Sequence, residues 1–141
     1  WVTAAGAVLD TAAVTLSAVD VRYDPQAALC LRAGYLALRR IADFFDVEYN
    51  PAPQPGDPIS VGRDEFDALY DELAAQNVPL KPDREQAWRD FQGWRVNYDA
   101  VLLDLAGLTD APLAPWSSDR SPPSHRPPVL RIRKRRVQPS R

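Results

Sequence analysis

Few side chains in this sequence of 141 residues could carry catalysis. The single histidine, His125, lies in a proline-rich stretch far along the chain from most of the carboxylates. A Ser-His-Asp triad or a histidine metal site needs that side chain beside its partners. The six glycines are scattered and do not form a phosphate-binding loop. We therefore expect a protein that is not an enzyme and that uses no cofactor and no metal.

Cys30 is the only cysteine, so it cannot form a disulfide within the chain. It lies inside an apolar helical pattern, with no histidine and no helix start near it in sequence to lower its pKa. We expect it to pack in the core as a small apolar residue. A lone thiol of this kind favours a reducing, cytoplasmic setting.

Asp64, Asp67 and Asp71 follow helical spacing and share one side of a predicted helix. They lack the loop spacing and the glycine of a calcium-binding loop. Acidic residues in the first turn of a helix interact favourably with its dipole and need no ligand. We interpret this group as a solvated acidic surface.

Asp10 stands in the middle of a segment that is otherwise apolar nearly all round. A buried carboxylate needs a charged and hydrogen-bonded partner. Arg95 and Arg32 are the candidate partners, and the sequence predicts a buried ion pair of Asp10 with one of them. Replacing Asp10 by alanine should then destabilise the fold by several kcal/mol.

Charge is divided unevenly along the chain, although the net charge is only −2. Residues 1–116 hold 9 Lys and Arg against 18 Asp and Glu, whereas residues 117–141 hold 8 against 1. The segment 129–137 (VLRIRKRRV) concentrates the positive charge. An anionic membrane surface is a candidate partner for this segment, and nucleic acid is less favoured. The alternatives are contact with the acidic body of the same chain and a tail that is merely solvated. The predicted anion or lipid contacts are Arg131, Arg133, Lys134, Arg135 and Arg136.

Apolar periodicity predicts an all-α fold, a four-helix bundle-like domain over residues 1–116 with a proline-rich internal loop. The four helices are expected at about 1–20, 24–46, 62–76 and 83–106. The first approaches the length of a membrane span, but Asp10 at its centre and its high alanine content favour burial in a protein core. Residues 117–141 are predicted to form an irregular, Pro/Arg-rich flexible tail.

The boundaries of these helices rest on local signals. Asp24 before a proline, and Asp83 three residues before Gln86, are typical N-caps. Gly107 follows the last apolar residue, where a left-handed C-cap favours glycine. Beyond it, Leu113 and Trp116 are expected to pack back on the helices. The internal loop is marked by Pro51, Pro53, Pro55 and Pro58.

Four stretches together resemble the C-terminal cytoplasmic region of actinobacterial two-transmembrane potassium channel-like proteins. They are residues 1–16 (WVTAAGAVLDTAAVTL), 25–44 (PQAALCLRAGYLALRRIADF), 91–98 (FQGWRVNY) and 111–116 (APLAPW). The resemblance implies a non-catalytic assembly or regulatory domain on the cytoplasmic side of the cell membrane. Its partners would be a transmembrane pore upstream in the same polypeptide and further copies in a homo-oligomer.

The chain begins at Trp1 and contains no methionine, which we interpret as the mark of a fragment of a longer protein. Under the resemblance, the pore helices and selectivity filter lie upstream. The alternative is a standalone helical interaction module whose basic tail binds nucleic acid or an acidic partner.

Overall fold

A computed structural model describes residues 1–23 and 25–122, and in this part the chain is mostly α-helical. The predicted all-α class is confirmed. The described helices are α1 (Val2–Ala18), α2 (Pro25–Phe44), α3 (Arg63–Ala75), α4 (Arg84–Arg95) and α5 (Asp99–Leu108), followed by a short 3-10 helix at Ser118–Arg120. The predicted N-cap Asp24 lies outside the described residues.

Helices α1 and α2 pack side by side, and α1 also packs along α4. Leu9 of α1 lies against Gly34 of α2, and each residue is nine positions from the end of its helix at the short connection. The two helices are therefore antiparallel. A Cβ atom at position 34 would overlap the Leu9 side chain, so glycine permits the close approach. Just after the end of α1, Val19 forms an isolated antiparallel β-bridge with Leu80.

The predicted single helix over 83–106 is wrong, because the chain turns at residues 96–98 between α4 and α5. The Arg39 guanidinium of α2 donates to the carbonyl of Asn97 from Nε at 3.2 Å and from Nη2 at 3.0 Å. A continuous helix would use that carbonyl for the amide of residue 101. The Asn97 side chain also donates to the carbonyl of Gly93 at 2.9 Å, which is a typical local competitor of helix bonds.

The predicted C-cap at Gly107 is also wrong. Helix α5 continues to Leu108, and the left-handed residue after it is Asp110, with φ of 48°. Glycine at 107 has another role, since a Cβ atom there would lie 2.5 Å from the carbonyl oxygen of Pro122. The chain after α5 thus returns and crosses the helix at this position.

Other local signals were interpreted correctly. The Asp83 carboxylate accepts from the backbone amide of Gln86 at 2.9 Å, so the predicted N-cap of α4 is confirmed. At the start of α3, Glu65 accepts from the amide of Gly62 at 2.8 Å. The helix predicted over 62–76 ends at Ala75, and Asn77 just beyond it has φ of 59°.

An aromatic group joins α3 and α4 to the segment after α5. Phe66 and Phe91 are buried, with ring centroids 5.2 Å apart, and Trp88 contacts both rings. The indole of Trp116 lies 5.6 Å from the ring of Phe91, so it packs back as predicted. Leu113 does not, because its side chain is 84% exposed.

Residues 117–122, assigned from sequence to the tail, pack against the body. Ser117 is buried, and Arg120 donates to the carbonyl of Ser60 at 2.8 Å and pairs with Glu65 at 2.8 Å. The packed domain therefore extends beyond the boundary predicted at Trp116, at least to Pro122. The reason is Arg120, whose contacts lie 55 and 60 residues back along the chain.

Among residues 1–23 and 25–122, none of the helices combines the length and the apolar character that crossing a lipid bilayer requires.

Candidate functional site

The buried charged residues of the described chain lie together around Arg95, at the last turn of α4. Its side chain is fully buried and donates to Asp10 of α1, to Asp99 of α5 and to the backbone carbonyl of Trp116. The bond from Nε to Asp99 Oδ1 measures 2.7 Å. Tyr98 donates its hydroxyl proton to Asp10 Oδ1 at 2.7 Å. We call these five residues the Arg95 cluster.

The structure therefore brings Asp10 and Arg95 together across 85 positions of sequence. Arg32, the other candidate partner of Asp10, lies on the exposed side of α2. Helical spacing explains the difference, since buried Leu31 and Leu38 define the core side of α2 and Arg32 falls outside it.

Asp99 connects the cluster to the loop before α3. Its Oδ1 accepts from the Ser60 hydroxyl at 2.7 Å as well as from Arg95, and its Oδ2 accepts from the Ser60 amide at 2.7 Å. Both carboxylate oxygens of Asp99 are thus engaged. The carbonyl of Ser60 accepts from Arg120, so a single line of hydrogen bonds joins Asp10 to Glu65.

The cluster contains one cationic side chain and two carboxylates, so its acidic groups outnumber its basic group. Burial raises the pKa of Asp10, although the charge of Arg95 and the hydrogen bonds from Arg95 and Tyr98 act in the opposite direction. Burial and the charge of Asp10 also raise the pKa of the Tyr98 hydroxyl. Burial acts to lower the pKa of Arg95, but the neighbouring acidic groups outweigh it and the guanidinium stays charged.

The outer end of the line is a half-buried ion pair, in which Arg120 strongly affects Glu65. The hydrogen bond from Arg120 lowers the pKa of Glu65 to about 2, against an opposing effect of burial. The Gly62 amide also donates to this carboxylate. The pair fixes the 3-10 helix against the first turn of α3.

This geometry is that of a structural element. A general acid or base must reach a proton on a substrate, in a cleft open to it. Arg95 is closed off from solvent, and the oxygens of Asp99 already accept three hydrogen bonds. The arrangement joins α1, α4, α5 and the returning chain, and that is the role we assign to it.

Two cavities lie at the surface of the described part of the chain. One, of about 260 Å³, lies between the 49–58 loop and the turn at residues 96–98, and Tyr98 and Asp99 form part of its wall. The other is a groove of about 420 Å³ between α1 and α2. The ten residues that line this groove are all apolar or small: Trp1, Ala4, Ala5, Val8, Leu9, Cys30, Gly34, Ala37, Leu38 and Ile41.

We call the lining of this groove the α1–α2 face. Within it, Trp1 and Val8 of α1 are 59% and 55% exposed. Cys30 of α2 is exposed there too, so its predicted burial in the core is wrong. Leu29 and Leu36 are also exposed, but they lie on another side of α2, beside exposed Arg32 and Arg40.

The predicted anion contacts Arg131, Arg133, Lys134, Arg135 and Arg136 lie outside the described residues. Within residues 1–23 and 25–122, there is no group of three or more His, Cys, Asp or Glu side chains that could hold a metal ion.

Sequence reasoning missed most partners in the Arg95 cluster. Asp99 was detectable, because it stands four residues after Arg95, the spacing of a helical ion pair. Tyr98 and the carbonyl of Trp116 gave no such signal, since their contacts depend on the turn at 96–98 and on the returning chain.

Comparison with known proteins identifies no relative: no protein-family model, no curated protein and no solved structure matches this chain.

Proposed function

We propose that this chain is a non-catalytic assembly or regulatory domain that binds an apolar partner on its α1–α2 face. The observation that carries the proposal is the groove of about 420 Å³, whose lining is wholly apolar or small and includes the exposed side chains of Trp1 and Val8. Apolar patches of this kind on soluble domains mark interaction sites more often than scattered single residues do.

The charged residues support a scaffold role for the rest of the domain. Arg95 of α4 donates to Asp10 of α1 and to Asp99 of α5, and a buried network of this kind fixes the relative positions of the elements that contribute to it. The α1–α2 face would then be a rigid docking surface, which lowers the entropic cost of binding.

The finer architecture is part of the proposal. We take the helices to form a bundle-like domain in which α4 and α5 together occupy the place of the fourth helix. The segment 47–59, with its four prolines, would be a stiff connector between the first and second helical pairs.

The resemblance to potassium channel-like proteins supplies a setting: the cytoplasmic side of a cell membrane, below a pore in the same polypeptide. Three of the four stretches that carry the resemblance contribute to one buried network, through Asp10, Arg95 with Tyr98, and Trp116. Because these stretches contribute to the same buried network, we treat them as a single sequence motif for the resemblance.

Sequencing the parent gene upstream of the codon for Trp1 tests this setting. Two apolar spans of about 20 residues around a filter-like loop are expected. A water-soluble segment in their place would discard the channel. It would leave the standalone module, whose binding to nucleic acid and to acidic proteins would be measured next.

A substitution in the intact parent protein tests the docking role. Val8→Glu places a charge on the α1–α2 face and should reduce the assembled fraction, as measured by chemical cross-linking in membranes or in detergent. Leu113→Glu makes the same change at an exposed leucine outside this face and should leave assembly intact. Equal assembly of both variants and the unmodified protein would contradict the proposal.

A further inference from the structure

Helix α5 contains two carboxylates in different environments. Asp99, its first residue, accepts three hydrogen bonds. Asp104, between Leu103 and Leu105, is half-buried, and within residues 1–23 and 25–122 its carboxylate has no hydrogen-bond or ion-pair partner. Burial raises its pKa. A carboxylate that loses water on folding is stabilised by a cationic partner, as Asp10 is.

The chain leaves the described structure close to Asp104. Gly107 is three residues further along α5, so the two positions are neighbours on the helix surface. The carbonyl oxygen of Pro122 lies 2.5 Å from the place that a Cβ atom would take at position 107, and the Ser121 side chain lies 3.8 Å from it. Pro122 is the last described residue. The next residues therefore continue from a point roughly 10 Å from the Asp104 side chain.

We propose that Asp104 binds the guanidinium group of Arg126 and thereby anchors the start of the C-terminal segment on α5. Arg126 is four residues after Pro122, a stretch that spans up to about 13 Å. It is the first residue after Pro122 that carries a full positive charge at neutral pH, because His125 is largely neutral there. A guanidinium also matches a carboxylate in shape and can donate two parallel hydrogen bonds to it.

The arginines next to α5 in the described structure are already bonded elsewhere. Arg39 donates to two backbone carbonyls, and Arg120 pairs with a carboxylate of α3. Arg95 is fully buried in the Arg95 cluster. The five basic residues of 131–136 begin five residues beyond Arg126. Arg126 is thus the nearest cation along the chain after it has crossed α5.

The proposed contact has a consequence for the basic segment 129–137. Arg131 is five residues beyond Arg126, which limits its distance from the anchor to about 16 Å. The anchor would hold the positive charges of this segment close to α5, whatever anionic surface they bind. This inference goes beyond the proposed function and does not involve the α1–α2 face.

A carbon-13 NMR titration of the Asp104 carboxyl group in the full chain is the test. Arg126→Gln should raise the pKa of Asp104, so that its titration midpoint moves to higher pH by about one pH unit or more. Arg131→Gln makes the same change of charge further along the chain and is the matched control. It should leave the midpoint where it is. An unchanged midpoint in Arg126→Gln, or an equal change in both variants, would overturn the inference.

The side chain of Arg126 provides a second measurement, by the nitrogen-15 heteronuclear NOE of its Nε–H group. In the unmodified chain this NOE should be close to the values of the folded body. Asp104→Asn keeps the size of the side chain and should lower it, whereas Glu72→Asn on α3 should not. An NOE that does not respond to Asp104→Asn would contradict the contact. A midpoint of Asp104 that responds to His125→Gln and not to Arg126→Gln would also overturn the assignment.

Discussion

At the scale of single residues, Asp10 is the clearest case of a position whose environment was predictable. A lone carboxylate on an apolar helix requires a buried partner, and the structure places Arg95 against it. The choice between Arg95 and Arg32 was not predictable, because it depends on which side of α2 faces the core. Nor was the sharing of Arg95 among Asp10, Asp99 and a backbone carbonyl.

Replacing Asp10 by alanine should lower the free energy of unfolding by about 3 kcal/mol, because Arg95 and the Tyr98 hydroxyl both lose a buried acceptor. Asp10→Asn keeps the size and one acceptor oxygen, and Asp99 still balances the charge of Arg95. That variant should lose only about 1 kcal/mol. Urea unfolding at neutral pH measures both values, and an asparagine variant less stable than the alanine variant would contradict this account.

Glu65 should make stability depend on pH. Its pKa is lowered from 4.5 to about 2 in the folded chain, so the unfolded chain binds the proton more readily. The Arg120 pair therefore stabilises the fold fully above pH 4.5, and this contribution is lost as the pH falls toward 2. Because the Glu65 side chain is partly exposed and screened, we expect a contribution of about 1 kcal/mol.

Urea unfolding of Glu65→Gln against the unmodified chain, repeated from pH 7 to pH 2, isolates this contribution. The difference in free energy of unfolding should be largest near neutral pH and should close in acid. Glu72→Gln, on the same helix, is the control and should follow the unmodified chain throughout. A difference for Glu65→Gln that stays constant with pH would show that the ion pair is not its source.

At the scale of elements, helix existence was predictable and helix continuity was not. The starts of α3 and α4 follow from local capping residues, which act within one turn of the chain. The turn at 96–98 interrupts an apolar period that runs on across it. Asn97 is a local contributor to this turn, but the Asn97 carbonyl also accepts from Arg39, 58 residues away, which the local pattern does not reveal.

Helix α2 shows a second limit of periodicity. Cys30 was predicted in the core because it lies inside an apolar helical pattern, but its side chain is exposed. One side of α2 is buried through Leu31, Leu38 and Ala42, while Leu29 and Leu36 stay exposed. An apolar pattern indicates that residues are buried, but it does not show whether they pack against the same chain or against another molecule.

At the scale of the whole molecule, the returning chain after α5 completes the domain. A chain that ends at Pro122 should therefore be more stable than one that ends at Trp116. The shorter chain lacks the contacts of Arg120 with Glu65 and Ser60, and the buried Ser117. We expect a loss of about 2 kcal/mol, or roughly 5–10 °C in melting temperature.

Calorimetry on the two truncated chains gives this comparison directly. Arg120→Gln in the longer chain serves as the control, since it removes the ion pair without shortening the chain and should reproduce part of the loss. Identical melting temperatures for the two truncated chains would show that residues 117–122 do not stabilise the domain, and the boundary would then lie at Trp116.

The Arg95 cluster also bears on the order of events during synthesis. Arg95 binds a carboxylate near the start of the domain and a backbone carbonyl at Trp116. On the ribosome, α1 emerges long before either Arg95 or Trp116 has been translated. Until the nascent chain has released that later segment from the exit tunnel, Asp10 lacks its partner Arg95 and α1 has no α4 to pack on. The domain is therefore one whose tertiary structure is completed only after translation has passed residue 116, and its apolar first helix is a natural substrate for chaperones in the interval.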